Sequence, residues 1–74
     1  MRNMFEIMRS TDPTEIAFAS ALLSGEGIEV FVLDVHMSVL EGSIGVLPRR
    51  MLVRQADAAQ ARIVLRDNGL PVSQ

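Results

Sequence analysis

The chain repeats one pattern of residues, and this repeat restricts the fold more than any other feature of the sequence. The segments RSTDPTE (9–15) and RQADAAQ (54–60) share a layout and lie 45 residues apart. Each leads into an alanine-rich run that ends in glycine, an apolar residue and, two positions on, valine, at Gly27-Ile28-Glu29-Val30 and Gly69-Leu70-Pro71-Val72. Strand-like residues precede and follow each run. We therefore expect the order strand, helix, strand, and then the same order again.

Right-handed crossovers turn this order into a known architecture. We predict an α+β, ferredoxin-like split βαβ domain (βαββαβ), with an antiparallel sheet, both helices on one face, and a fourth strand that is short or absent. The strands are expected at Met4–Met8, Ile28–Asp34, Arg49–Arg54 and, for the short one, Leu70–Val72. Val, Ile and Phe dominate the second of these segments, as is typical of strands.

Both helices are predicted from their terminal residues. Asp12 suits the N-cap and Pro13 the first helical position, and Glu15 completes a capping box with Asp12. In the second half, Asp57 is expected to cap, with Gln60 three residues later. Gly25 and Gly27 are expected to end the first helix and Asn68-Gly69 the second, because glycine readily adopts the left-handed backbone found at helix ends.

Two helices cover only one face of such a sheet, so the other face needs its own explanation. Phe31 and Leu33 point away from Ile28, Val30 and Val32 because side chains alternate along a strand. In the first strand, Met4, Glu6 and Met8 alternate with Phe5 and Ile7. We expect the helix-free face to be apolar and to be covered by a loop or by a second subunit; its candidate residues are Phe31, Leu33, Met4, Met8 and Leu52.

A long inter-strand loop is predicted at 35–48, within the stretch HMSVLEGSIGVLPRR. Glycine amides can cradle an anion, and arginine pairs well with carboxylate or phosphate. Gly42, Ser43, Gly45, Arg49 and Arg50 therefore form a candidate recognition or anion site. The alternative, which we favour, is that the glycines make turns and the loop's apolar residues pack on the sheet.

Catalytic chemistry is not expected. Asp34, His36 and Ser38 resemble an acid–histidine–hydroxyl set, but residues that alternate along one strand rarely reach one another in the order that a triad needs. A single histidine with scattered carboxylates has no metal-ligand spacing, and the glycines match neither a P-loop nor a dinucleotide fingerprint. We predict a non-enzyme without a cofactor.

Composition limits the remaining classes of function. Residues 1–74 fit one small domain with a tail at 73–74; the chain is 49% apolar, has no cysteine and carries a net charge of −2. Its acidity argues against nucleic acid and acidic lipid as partners. No segment is apolar and long enough for a signal peptide or a membrane span. We expect a cytoplasmic protein.

Three segments resemble a known family: STDPTEIAFASALLSGEGIEVFVLDVHMS, EGSIGVLPRRMLV and DAAQARIVL. Across roughly Met4 to Leu70 the chain is similar to the small bacterial family called "putative prokaryotic signal-transducing protein". The resemblance implies a ferredoxin-like domain, compared in fold with PII-type signalling proteins, whose loop between the second and third strands engages partners. It implies no activity, cofactor or catalytic residue.

Two hypotheses of function follow from these observations. The first is a non-catalytic regulatory or protein-interaction module with an unknown protein partner, and a homodimer through the helix-free face is one form of it. The second is a sensor of a small anion or nucleotide that uses the glycine-rich stretch with Arg49 or Arg50.

Overall fold

Across the residues that the structure describes, the fold has three antiparallel strands and two helices. A computed structural model of the chain describes residues 3–34 and 48–73. Its elements, in chain order, are β1 (Met4–Ser10), α1 (Pro13–Gly25), β2 (Phe31–Asp34), β3 (Arg49–Arg54) and α2 (Gln55–Asp67). The strand order is β1-β3-β2, with both outer strands antiparallel to β3. The predicted α+β fold is confirmed, and the arrangement is compatible with a ferredoxin-like domain with short strands.

One hydrophobic core joins the helices to the sheet. Its buried members are Ile7, Met8, Ile16, Ala19, Leu23, Ile28, Met51, Val53, Ala58, Ala61 and Leu65. In each helix the buried positions recur at three- and four-residue spacing, so each helix presents one stripe to the sheet. Alanine supplies several of them, which permits close approach of the helices. Each helix has 13 residues, and neither is long or apolar enough to cross a bilayer.

A β-bulge at Ile7 divides β1. Glu6 pairs with Leu52 and Met8 pairs with Met51, so Ile7 is an extra residue with no counterpart in β3. A bulge interrupts the alternation of side chains. Ile7 and Met8 are consequently both fully buried in the core. The prediction that Met8 shares the helix-free face with Met4 is wrong for this reason.

The start of α1 uses the predicted cap with a different set of partners. Asp12 is the N-cap, and its Oδ1 accepts hydrogen bonds from the N–H (2.9 Å) and hydroxyl (2.6 Å) of Thr14. These bonds lower the pKa of Asp12. The Glu15 carboxylate, however, accepts from the Ser10 hydroxyl (2.6 Å), and the Ser10 Oγ accepts from the Asp12 N–H (2.9 Å). Ser10 thus stands between the two ends of the predicted capping box.

The second helix begins earlier than predicted. Arg54 is the N-cap of α2 and makes no side-chain cap bond, and Asp57 lies within the first turn. The N–H of Gln55 instead donates to the carbonyl of Asn3 (2.7 Å), beside β1. The backbone of the residue that precedes β1 therefore satisfies a helix donor that a capping side chain would otherwise serve. The prediction of a cap at Asp57 is wrong because β3 continues into α2 without a turn.

Both helices end in the same hydrogen-bonded motif. The N–H of Ile28 donates to the carbonyl of Leu23 (2.9 Å), and the N–H of Leu70 donates to that of Leu65 (3.0 Å). Gly27 and Gly69 supply the left-handed residue, with φ values of 77° and 76°. These are Schellman ends in which the apolar residue after glycine packs beneath the helix. Because Ile28 belongs to this motif, β2 begins at Phe31 and not at the predicted Ile28.

Two glycines at the end of α1 give opposite predictions. Gly27→Ala is expected to lower the free energy of unfolding by about 1–2 kcal/mol, because a Cβ disfavours the left-handed region. Gly25→Ala is expected to be neutral or stabilising by up to ~1 kcal/mol, since Gly25 is helical and no atom lies within 4 Å of its added Cβ. Urea unfolding followed by circular dichroism measures both. Equal effects of the two substitutions would contradict the motif.

The C-terminal tail occupies the place of the fourth strand without forming one. The N–H of Ser73 donates to the carbonyl of Ile7 at the outer edge of β1 (2.7 Å), and Leu70 and Val72 pack against the core. Residues 70–73 have no strand assignment. Within the described residues the expected fourth strand at Leu70–Val72 does not form, and the bond from Ser73 joins the tail to β1. This agrees with the prediction of a strand that is short or absent.

Candidate functional site

The face of the sheet away from the helices carries both apolar and charged side chains. The pairing register places eight residues there, which we call the distal face: Met4, Glu6, Arg9, Phe31, Leu33, Arg50, Leu52 and Arg54. In β3, Arg50, Leu52 and Arg54 alternate with the core residues Met51 and Val53, because successive side chains of a strand point to opposite faces. Four of the five residues predicted for the helix-free face lie here, and only Met8 does not.

Leu52 stands at the centre of the distal face. It is 7% exposed and lies outside the main core cluster, with Phe31 beside it in β2 and Glu6 beside it in β1. Leu33, further along β2, is 39% exposed. The guanidinium of Arg54 lies over the Phe31 ring, 5.4 Å from its centroid. This distance is within the range of cation–π attraction, so the ring and the cation form one amphipathic surface.

Glu6 organises the charged half of the distal face. Its Oε1 accepts from Arg50 Nε (2.8 Å) and from Arg9 Nη2 (3.1 Å), and its Oε2 accepts from the Ser73 hydroxyl (3.1 Å). Partial burial, the largest influence, raises the pKa of Glu6, but the hydrogen bonds from Arg50, Arg9 and Ser73 together outweigh it and lower the pKa. The carboxylate thereby ties β1 to β3 and to the tail.

A second ion pair lies at the other end of the face. Arg54 Nη1 donates to Glu29 Oε1 at 2.6 Å, and both side chains are more than half exposed. Exposed pairs of this kind contribute little to stability. The described ion pairs of the distal face thus involve three arginines of the face, Glu6 of the face and Glu29 beside it. Their excess of one positive charge has the opposite sign to the chain's net charge of −2.

The residues of the predicted anion site fall partly within this geometry. Gly42, Ser43 and Gly45 lie outside the described residues, as does His36. Arg50 pairs with Leu33 and Arg49 pairs with Asp34, so the two arginines point to opposite faces. The Nε of Arg50 is already donated to Glu6. The anion site stays a prediction, and the geometry allows it at most one of these two arginines.

Residues 3–34 and 48–73 contain no group of three or more metal-ligating side chains close enough to hold an ion. The distal face presents an apolar centre, a cation over an aromatic ring, and a carboxylate held by two arginines, which are groups suited to binding another molecule. Sequence reasoning missed Arg9, Arg54 and Ser73. Strand alternation alone predicts that Arg54 lies on the same face as Leu52, two residues away. The position of Arg9 on this face could not be predicted in this way, because it results from the bulge.

The chain matches a known protein family over most of its length. The model of a family described as "Putative prokaryotic signal transducing protein" matches residues 4–69. The chain belongs to this family. The match covers every helix and strand of the fold, from the start of β1 to the glycine that ends α2. The resemblance to this family that the sequence indicated is thus confirmed, and the description of the family names no ligand and no reaction. No curated protein matches the chain.

Proposed function

We propose that this chain is a non-catalytic regulatory module that binds a partner protein through the distal face. The observation that carries the proposal is the composition of that face: apolar side chains at its centre with three arginines around them. Aromatic residues and arginine are enriched among the residues that contribute most to protein–protein binding. Membership of a family described as signal-transducing is consistent with such a module.

The charges of the face suggest what the partner presents. Arg9, Arg50 and Arg54 outnumber Glu6 and Glu29, and each of the three arginine side chains is at least 39% exposed. Complementary charge steers association and suppresses wrong partners. The partner is therefore one that presents an apolar side chain to Leu33 and Phe31, with carboxylates around it. A second copy of the chain is the competing occupant, and the experiment separates the two.

Site-specific photo-crosslinking tests the proposal. A benzophenone amino acid replaces Leu33 on the distal face and, as a matched control, Ile63 on α2; both side chains are exposed, at 39% and 54%. In cells that naturally produce the chain, we expect one protein to crosslink at position 33 and not at position 63. The crosslinked protein is then purified, and its binding to the unmodified chain is measured by calorimetry.

The affinity measurements decide the outcome. We expect Leu33→Asp to weaken binding about 30-fold, as the loss of a central contact of about 2 kcal/mol would, and Ile63→Asp to leave it unchanged. Binding should also weaken as salt rises. Equal effects of the two substitutions would contradict the proposal. Crosslinks only between copies of the chain would replace it with a homodimer.

A further inference from the structure

An open groove with a volume of about 520 Å³ lies along the outer edge of β1. It is lined by Met4, Phe5 and Glu6 of the strand, Arg62 of α2 and Ser73 of the tail. The groove continues from the point where Ser73 bonds to Ile7 towards the start of β1. It therefore lies where a fourth strand, running antiparallel to β1, would extend beyond Ser73.

Backbone groups of β1 face this groove. The carbonyl of Asn3 points towards β3, because it accepts from the N–H of Gln55. Backbone groups two residues apart point to the same side of a strand, so those of Phe5 also face β3. The N–H and C=O groups of Met4 and Glu6 consequently point outward, to the groove. The bulge then turns the carbonyl of Ile7 outward as well, where it meets Ser73.

The wall of the groove carries an arginine without a counter-ion among the described residues. Arg62 is half-buried, and its Nε donates to the carbonyl oxygen of Ser73 (3.3 Å). No carboxylate in the described ranges forms a salt bridge with it. The remaining N–H groups of the Arg62 guanidinium, on its two terminal nitrogens, are suited to bind a carboxylate.

We propose that the outer edge of β1 accepts an extended segment of another protein as a fourth strand, which runs antiparallel to β1 and directs an acidic side chain to Arg62. Addition of a strand to a sheet edge is an established mode of peptide recognition, in which the backbone gives affinity and side chains give specificity. The groove offers the outward groups of Met4 and Glu6 for the backbone and Arg62 for the side chain. The groove shares Met4 and Glu6 with the distal face, but strand addition uses their outward backbone groups, whereas the proposed function uses the side chains around Leu33 and Phe31. Neither proposal depends on the other.

Amide hydrogen exchange with a synthetic peptide tests strand addition. The probe is the capped peptide acetyl-Thr-Val-Glu-Val-Thr-Val-amide, titrated into the full chain labelled with nitrogen-15. We expect the amides of Met4 and Glu6 to exchange at least tenfold more slowly when the peptide is bound, since bonding in a ladder protects an N–H. The amide of Phe5, already directed to β3, should change less.

Matched variants assign the contacts. Arg62→Gln should weaken peptide binding about tenfold, whereas Arg66→Gln, one turn further along α2 and outside the groove lining, should not. A peptide with glutamine in place of glutamate should lose the same factor on the unmodified chain. A peptide with proline in place of its second valine should bind poorly, because proline lacks the ladder donor. Equal binding of the proline peptide, or no slowing at Met4 and Glu6, would overturn the proposal.

Discussion

Leu65→Ala is expected to lower the free energy of unfolding by about 2–5 kcal/mol. Leu65 is fully buried in the core, and its carbonyl accepts the N–H groups of Asn68 and Leu70 at the end of α2. Truncation leaves a cavity between helix and sheet and removes the apolar contact beneath the Schellman motif. A 74-residue domain without a disulfide has little stability to spare, so we expect the variant to be largely unfolded at 37 °C.

Ile63→Ala is the control for this substitution. Ile63 lies two residues away on the same helix and is 54% exposed, so we expect a loss below about 0.5 kcal/mol. Urea unfolding followed by circular dichroism compares the two variants at one temperature. Similar losses would mean that α2 does not pack with Leu65 towards the sheet.

Glu6→Gln is expected to cost about 1–2 kcal/mol, because three hydrogen bonds to a carboxylate are weakened at once. The Glu6 side chain is only 20% exposed, but its arginine partners are more exposed, so solvent reduces the contribution of each pair. The matched variant is Glu29→Gln, which removes the exposed pair with Arg54 and should cost less than about 0.5 kcal/mol. Thermal and urea unfolding measure both. Equal costs would show that Glu6 does not organise the face.

Glu6 also gives the chain a defined response to acid. Its pKa in the folded protein lies below the ordinary value of 4.5. The charged carboxylate therefore contributes its full stabilisation at pH values above 4.5, and this contribution is lost as the pH falls through the lowered pKa. Unfolding measured across this range should be less pH-dependent in Glu6→Gln than in the unmodified chain. An unchanged slope would contradict the lowered pKa.

The ends of both helices and the start of α1 could be predicted from the sequence because short-range rules decide them. Gly27 and Gly69 end the helices through their own backbone preferences, and Asp12 with Pro13 begins α1 as a cap and first-turn proline do. The start of α2 could not be predicted in this way. Its first donor is satisfied by Asn3, 52 residues earlier in the sequence, so the cap-like Asp57 was a misleading local signal.

The candidate site was predictable in its apolar half only. Alternation alone placed Phe31 and Leu33 on one face, whereas the position of Leu52 beside them depends on the register of β3 on β2. The hydrogen bonds around Glu6 need the register of β1 on β3 and the position of the tail, and neither follows from local patterns. Arg9 reaches Glu6 only because of the bulge, and Ser73 reaches it only because the tail returns along β1.

The bulge at Ile7 reverses which residues of β1 face the helices. Before it, even-numbered residues face away from the helices; after it, odd-numbered residues do. If all seven residues of β1 paired regularly, without a bulge, Arg9 would face the core and Ser10 would turn away from the start of α1, where its hydroxyl joins Asp12 to Glu15. Deletion of Ile7 would thus remove a core side chain but leave Met8, Arg9 and Ser10 on their present faces, because each of them would keep its partner in β3.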